Sequence, residues 1–176
     1  DQSLYERLQH ALNARESTSL QELLLGDETS EIANRHNRFR ERFPNALWTV
    51  NEDSPLRNGT PTLNINVVGS REIDGQNYEL NSAQRVAVET NGEVILNSKI
   101  VSQESILRTK NADLPIMLQV PEMVLTGSRY DVDIVLERPL GDALVAGGII
   151  PVDEDELFNK SPTFEMQLAP MGGGGL

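Results

Sequence analysis

Residues 35–42 hold the densest group of chemically capable side chains in this 176-residue sequence: Arg35, Arg38, Arg40 and Arg42, with His36 among them. A guanidinium is always charged and presents its donors in a fixed fork that suits carboxylate and phosphate oxygens. At helical spacing Arg35, Arg38 and Arg42 share one flank, and Arg40 stands apart. One reading is an anion or phosphate site on that flank. The other, which weighs more, is the solvated face of an amphipathic helix, where cations near the C-terminus also suit the helix dipole. His36 falls beside Phe39 and is expected to be partly buried. Trp48 and Tyr78 would join His36 in lining a small-ligand pocket, should helices close over a sheet. Arg35, Arg38, Arg42, His36, Trp48 and Tyr78 are therefore the candidate binding residues.

Other chemistries lack their residues. With no cysteine in the chain, thiolate catalysis, disulfides, zinc–thiolate centres and iron–sulfur clusters are excluded. The two histidines, His10 and His36, would need a third ligand to hold a metal. There is no G-x-S-x-G nucleophile elbow, and Gly59, Gly69 and Gly75 do not make a phosphate loop. Asp131 and Asp133 alternate with apolar neighbours, which places them on an outward sheet face rather than across a cleft. Asp153–Glu156 lacks the spacing of an EF-hand loop and reads as a solvated acidic loop, with irregular calcium binding as the weaker alternative. Asn58-Gly-Thr60 and Asn159-Lys-Ser161 match the glycosylation triplet but arise readily by chance. No catalytic residue and no cofactor is expected.

Charge narrows the partners. Fifteen Lys and Arg against 27 Asp and Glu give a formal charge of −12, a field that repels phosphate backbones and anionic lipid. A protein partner is favoured over nucleic acid or membrane. No apolar run approaches the ~20 residues of a membrane helix. Because the sequence starts at Asp1 without Met, it reads as a processed form or a piece of a larger bacterial protein. An exported or envelope location is favoured over the cytoplasm.

The elements that must position these residues follow from periodicity. Residues 3–25 read as helical: Ser3 with Glu6 forms a capping box, and Leu4, Leu8, Ala11 and Leu12 recur at helical spacing. Ser17-Thr18-Ser19 interrupts the pattern, a second box at Ser19 and Glu22 restarts it, and Gly26 is the expected C-cap. A further helix spans about 29–43, with Ile32, His36, Phe39 and Phe43 on one face and Pro44 as its stop. After Pro44 the period becomes 2, as in Leu63–Val67, Leu114–Leu118, Tyr130–Ile134 and Phe164–Leu168. About eight strands are expected, near 46–51, 62–69, 77–90, 93–107, 114–120, 129–137, 143–152 and 163–169. Asn91-Gly92 is the strongest hairpin signal and Asp74-Gly75 the second. The two long strands are expected to bend at bulges near Ser82 and Ser98.

The passage through Val120-Pro121, Val124, Gly127, Tyr130, Val132 and Ile134 resembles a strand–Pro–turn–strand passage of immunoglobulin-like modules. Helices followed by long curved antiparallel strands resemble the cone of the nuclear-transport-factor-2-like fold, and that resemblance implies an enclosed pocket. The fold class read here is α+β: two or three N-terminal helices, then a mostly antiparallel sheet or sandwich. The division is a helical segment (1–45), a β domain (46–170) and a Gly-rich tail (171–176). The expected function is a non-catalytic binding or structural module; the alternative is a small-ligand pocket protein, enzymatic or not.

Overall fold

The computed structural model describes residues 2–26, 29–110, 114–121, 123–142 and 146–148. Three helices come first, so the α+β reading holds. Helix α1 (Leu4–Asn13) opens on the expected capping box. The Ser3 hydroxyl accepts from Glu6 N–H at 3.2 Å, and the Glu6 carboxylate accepts from Ser3 N–H at 2.8 Å. Its Leu4, Leu8 and Ala11 are buried, as their spacing requires.

Helix α2 (Thr18–Leu23) follows the predicted interruption but not the predicted caps. Its N-cap is Ser17, so Ser19 lies inside the helix and the second capping box does not form. Burial sets this phase, because it turns Leu20 and Leu23 into the core. Gly26 is not the C-cap either. The helix ends at Leu24 in extended backbone, where Leu24 bridges to Ile95 and Leu25 N–H donates to the Ile95 carbonyl at 2.8 Å. A strand-like contact thus replaces the glycine cap.

Helix α3 (Thr29–Arg42) stops before Pro44, whose ring and missing N–H cannot continue it. Ala33 and His36 are buried on α3, Phe43 is buried just beyond it, and Ile32 and Phe39 are half-buried against the core. The predicted apolar face is therefore real, with its two outer members at the rim.

The main sheet is antiparallel in the order β1 (Leu47–Asp53), β2 (Thr62–Ile73), β3 (Gln76–Thr90), β4 (Ile95–Thr109). A separate antiparallel ribbon joins β5 (Ile116–Gln119) to β6 (Asp133–Leu136). Six strands among the described residues replace the expected eight. The 129–137 strand shortens to β6 because β5 offers it only four positions, lying between Pro115 and Pro121. Asp131 is consequently outside any strand, though both Asp131 and Asp133 are exposed. The expected strand at 143–152 lies largely outside the described residues, and its described part, 146–148, is not strand. The strand at 163–169, the acidic loop at 153–156 and the tail lie wholly outside them.

Turn chemistry reverses the ranking of the two hairpins. Asp74-Gly75 makes the two-residue turn: Ile73 pairs with Gln76, and both turn residues are left-handed, at φ +51 and +77. At Asn91-Gly92 only Gly92 has positive φ (+92), and the hairpin closes at Thr90 and Ile95, so Val88 faces Ser98 rather than Ile95. Asn91 is held out of the left-handed region by its own side chain, whose Oδ1 accepts from the N–H of Glu93 and of Val94, both at 3.0 Å. The bulges likewise fall elsewhere than expected. Register shifts leave Leu96 and Val101 of β4 unopposed, whereas Ser82 pairs regularly with Ser105.

The core lies between the helices and one face of the main sheet. One cluster gathers Leu4, Leu8, Leu20, Leu23 and Leu24 onto Val50, Leu63, Val86, Val88 and Ile95. A second gathers Phe43, Ala46, Trp48, Val67 and Leu80, with Phe39 at its side. No described helix is long and apolar enough to cross a membrane.

Candidate functional site

The residues singled out by type do not converge on one cavity. Trp48 is buried, with His36 against it at 5.0 Å between ring centres and Phe39 edge-on at 5.5 Å. The Arg40 guanidinium caps the same indole at 5.3 Å and donates to the Leu12 carbonyl at 3.2 Å. Where a pocket would need empty space, the indole is packed by an imidazole, a phenyl ring and a guanidinium. Tyr78 is also buried, but it stands on β3 opposite Arg71, four residues along β2 from the Val67 that faces Trp48. At ~3.3 Å per strand residue that separation is about 13 Å. Of the three residues expected to line a pocket, His36 and Trp48 therefore meet and Tyr78 stands apart.

His36 is a structural residue. Its Nε2 lies 2.8 Å from the Leu12 carbonyl, so Nε2 carries the proton, and Nδ1 is buried without a partner. Burial lowers its pKa below the usual histidine value; the Leu12 bond opposes this, and Arg40 adds to it. His10 sits exposed on α1.

The arginine flank divides as well. Arg35 is committed to Glu31, one turn back on α3, at 2.6 Å. Among the described residues Arg38 and Arg42 make no ion pair or hydrogen bond, and a residue that spacing along α3 did not include lies at the end of that helix: Arg71, from β2, whose Cζ lies 5.6 Å over the Phe43 ring. Gly69 packs against the same corner, where a Cβ would meet Phe43 Cβ at 3.4 Å and Ala46 at 3.5 Å, within ordinary contact. Asn45 fastens the same corner, accepting from Ser70 N–H at 2.9 Å and donating to Ser70 Oγ at 2.7 Å. Sequence reading ends this strand at residue 69, whereas β2 runs on to Ile73 and so carries Arg71 to the corner.

The surface with the plainest unmet need is the ribbon. On one face Ile116 stands opposite Leu136 and Leu118 opposite Ile134, an all-aliphatic set. Leu118 and Ile134 are each 52% exposed and Leu136 40%. Met117 and Val135 are exposed on the other face. β5 pairs only with β6, so each strand keeps an unpaired edge among the described residues. An open hollow of about 520 Å³ at the ribbon's end is lined by Leu118, Val120, Pro121 and Tyr130 together with Asp131 and Asp133. A second open hollow, of about 340 Å³, lies between Leu24, Ile32 and Leu96. Neither touches His36, Trp48 or Tyr78. Among the described residues no three His, Asp or Glu side chains are grouped to hold a metal ion.

A family model described as a domain of unknown function (DUF8623) matches residues 111–176, less than half of the chain. The match takes in the ribbon and none of the helix-and-four-strand body. No curated protein and no solved structure matches.

Proposed function

We propose that this chain is a non-catalytic binding or structural module whose β5–β6 ribbon takes up an extended segment of a protein partner. The observation that carries the reading is the aliphatic face of half-buried Ile116 and exposed Leu118, Ile134 and Leu136 on a sheet that has two strands among the described residues. Two strands alone are marginal in water, and such a face becomes stable when a further strand or layer covers it. The free edges suit addition of a strand, in which main-chain hydrogen bonds give affinity and alternate side chains give specificity. Asp131 and Asp133 beside the apolar hollow favour a segment in which apolar residues alternate with Lys or Arg. The charge of −12 opposes a second copy of this chain in that role. The packed indole at Trp48 supports a binding role over an enclosed substrate pocket.

The test is a titration of the full chain, followed by amide NMR, with two synthetic peptides that alternate valine with lysine or valine with glutamate. The expected result is saturable change confined to residues 114–137 with the lysine peptide, lost in Leu118→Glu. Equal response to both peptides, or to neither, overturns the partner chemistry. A doubled mass in the free protein that Leu118→Glu abolishes assigns the face to self-association and overturns it too. Turnover of any substrate that His36→Ala removes without unfolding the chain would contradict the non-catalytic reading.

A further inference from the structure

Six arginines in the described residues are half-buried: Arg7, Arg35, Arg40, Arg42, Arg71 and Arg85. Four have polar partners. Arg7 donates to the Glu93 carbonyl, Arg35 to Glu31, Arg40 to the Leu12 carbonyl, and Arg85 lies against Asp53 and donates to the Ser54 carbonyl. Among the described residues Arg42 and Arg71 have none, apart from the Phe43 ring beneath Arg71. Removing a charge from water without pairing it is costly, so these two stand out from the exposed arginines, which water satisfies.

Their surroundings sharpen the contrast. Burial lowers the Arg42 pKa, and the charges of Arg71 and Arg38 lower it further, although the group stays protonated at neutral pH. Arg38 and Arg42 are one turn apart on α3, a like-charge pair that weakens a helix by ~0.2–0.5 kcal/mol. The attraction of cations to a helix C-terminus does not account for the cluster. That attraction would aim the guanidiniums at the last carbonyls of α3, and neither Arg38 nor Arg42 bonds to one. The Asn45–Ser70 bonds fasten β2 to the chain just beyond α3, and the Arg71 guanidinium lies 5.6 Å over the ring of Phe43, the residue after Arg42.

We propose that Arg38, Arg42 and Arg71 form a binding site for a phosphate group. A phosphate offers several acceptor oxygens around one centre and matches guanidinium forks arriving from two elements. The acid excess of the chain disfavours a polymer of phosphates, so the ligand is free phosphate or a small phosphate ester. This inference is independent of the ribbon and its partner.

The experiment measures thermal stability of the full chain and of Arg42→Gln and Arg71→Gln. Chloride is replaced by inorganic phosphate or glycerol 3-phosphate at constant ionic strength. A ligand that binds only the folded state raises Tm in proportion to its saturation. In chloride the variants are expected to be as stable as the parent or more so, because repulsion is relieved. In phosphate the parent gains Tm and the variants do not, with apparent affinity down about tenfold or more for each lost fork. The ligand that acts at the lower concentration separates an ester from free phosphate. An equal rise in parent and variants, as general salt exclusion would give, overturns the site. Should a variant fail to fold, the parent alone decides: the Nε–H signals of Arg42 and Arg71 must move saturably with phosphate, and static signals overturn the proposal.

Discussion

The free edge of β1 in the body and the free edges of the ribbon meet the same problem in opposite ways. An unpaired strand edge invites another strand. In the body, α1 closes that edge with side-chain amides. Asn13 donates to the Trp48 carbonyl at 2.8 Å and accepts from Trp48 N–H at 2.9 Å, and Gln9 accepts from Val50 N–H at 2.8 Å. The same helix buries Leu4, Leu8 and Ala11 on the sheet, so one element supplies both the core and the seal. Among the described residues the ribbon has no such helix, and none of its eight strand residues is buried. The β1 edge is thus closed by α1, whereas the ribbon edges stay open among the described residues.

One substitution placed in each region gives the widest contrast, and the body should show the largest loss. Leu63 is 0% exposed beneath the helices, and Leu63→Ala is expected to cost about 2–5 kcal/mol in urea unfolding. A loss below ~1 kcal/mol would mean that the body is loosely packed and the contrast is false. Asn13→Ala should cost about 1–3 kcal/mol, since it leaves two backbone groups of Trp48 without partners. It should also promote association through β1, read as added mass in light scattering.

Acid should weaken the body through His36. The folded state lowers its pKa, so the unfolded chain binds the proton more readily. That contribution is full above the unfolded value of ~6.5 and is lost as pH falls through the lower folded value. The fall in stability between pH 7 and 5 should be smaller in His36→Gln, which keeps a donor for the Leu12 carbonyl. An unchanged slope would show that His36 is not held neutral. The smallest effect belongs to the ribbon: Leu118→Ala should change the stability of the isolated chain by no more than about 0.5 kcal/mol.

What could be read from the sequence was what depends on neighbours in the chain. The Ser3 box, the α3 face, the stop before Pro44 and the period-2 run of β2 are all local patterns, and each appears. The failures share a cause in packing. Ser19 lost its capping role because burial of Leu20 and Leu23 fixed the phase of α2, and Gly26 lost its own because Leu24 found Ile95 across the core. Asn91-Gly92 looked like the tighter turn, yet the Asn91 side chain bonded its own loop. In the candidate site, the burial of His36 beside Phe39 was legible from helical spacing. Its contact with Trp48 was not, and neither was the placement of Arg71 over Phe43, since both join elements far apart in sequence. The expected pocket at Trp48 and Tyr78 failed because strand register, which composition does not reveal, sets them four positions apart along the sheet.

Amide hydrogen exchange on the full, monomeric chain tests the division between body and ribbon most directly. Exchange reports local opening, and protection follows burial and packing. Slow exchange is expected for hydrogen-bonded amides in β2 and β3, and exchange near the unprotected rate for residues 116–119 and 133–136 until a partner segment is added. Ribbon amides as strongly protected in the isolated chain as those of β2 and β3 would contradict it, because the aliphatic face would then already be covered.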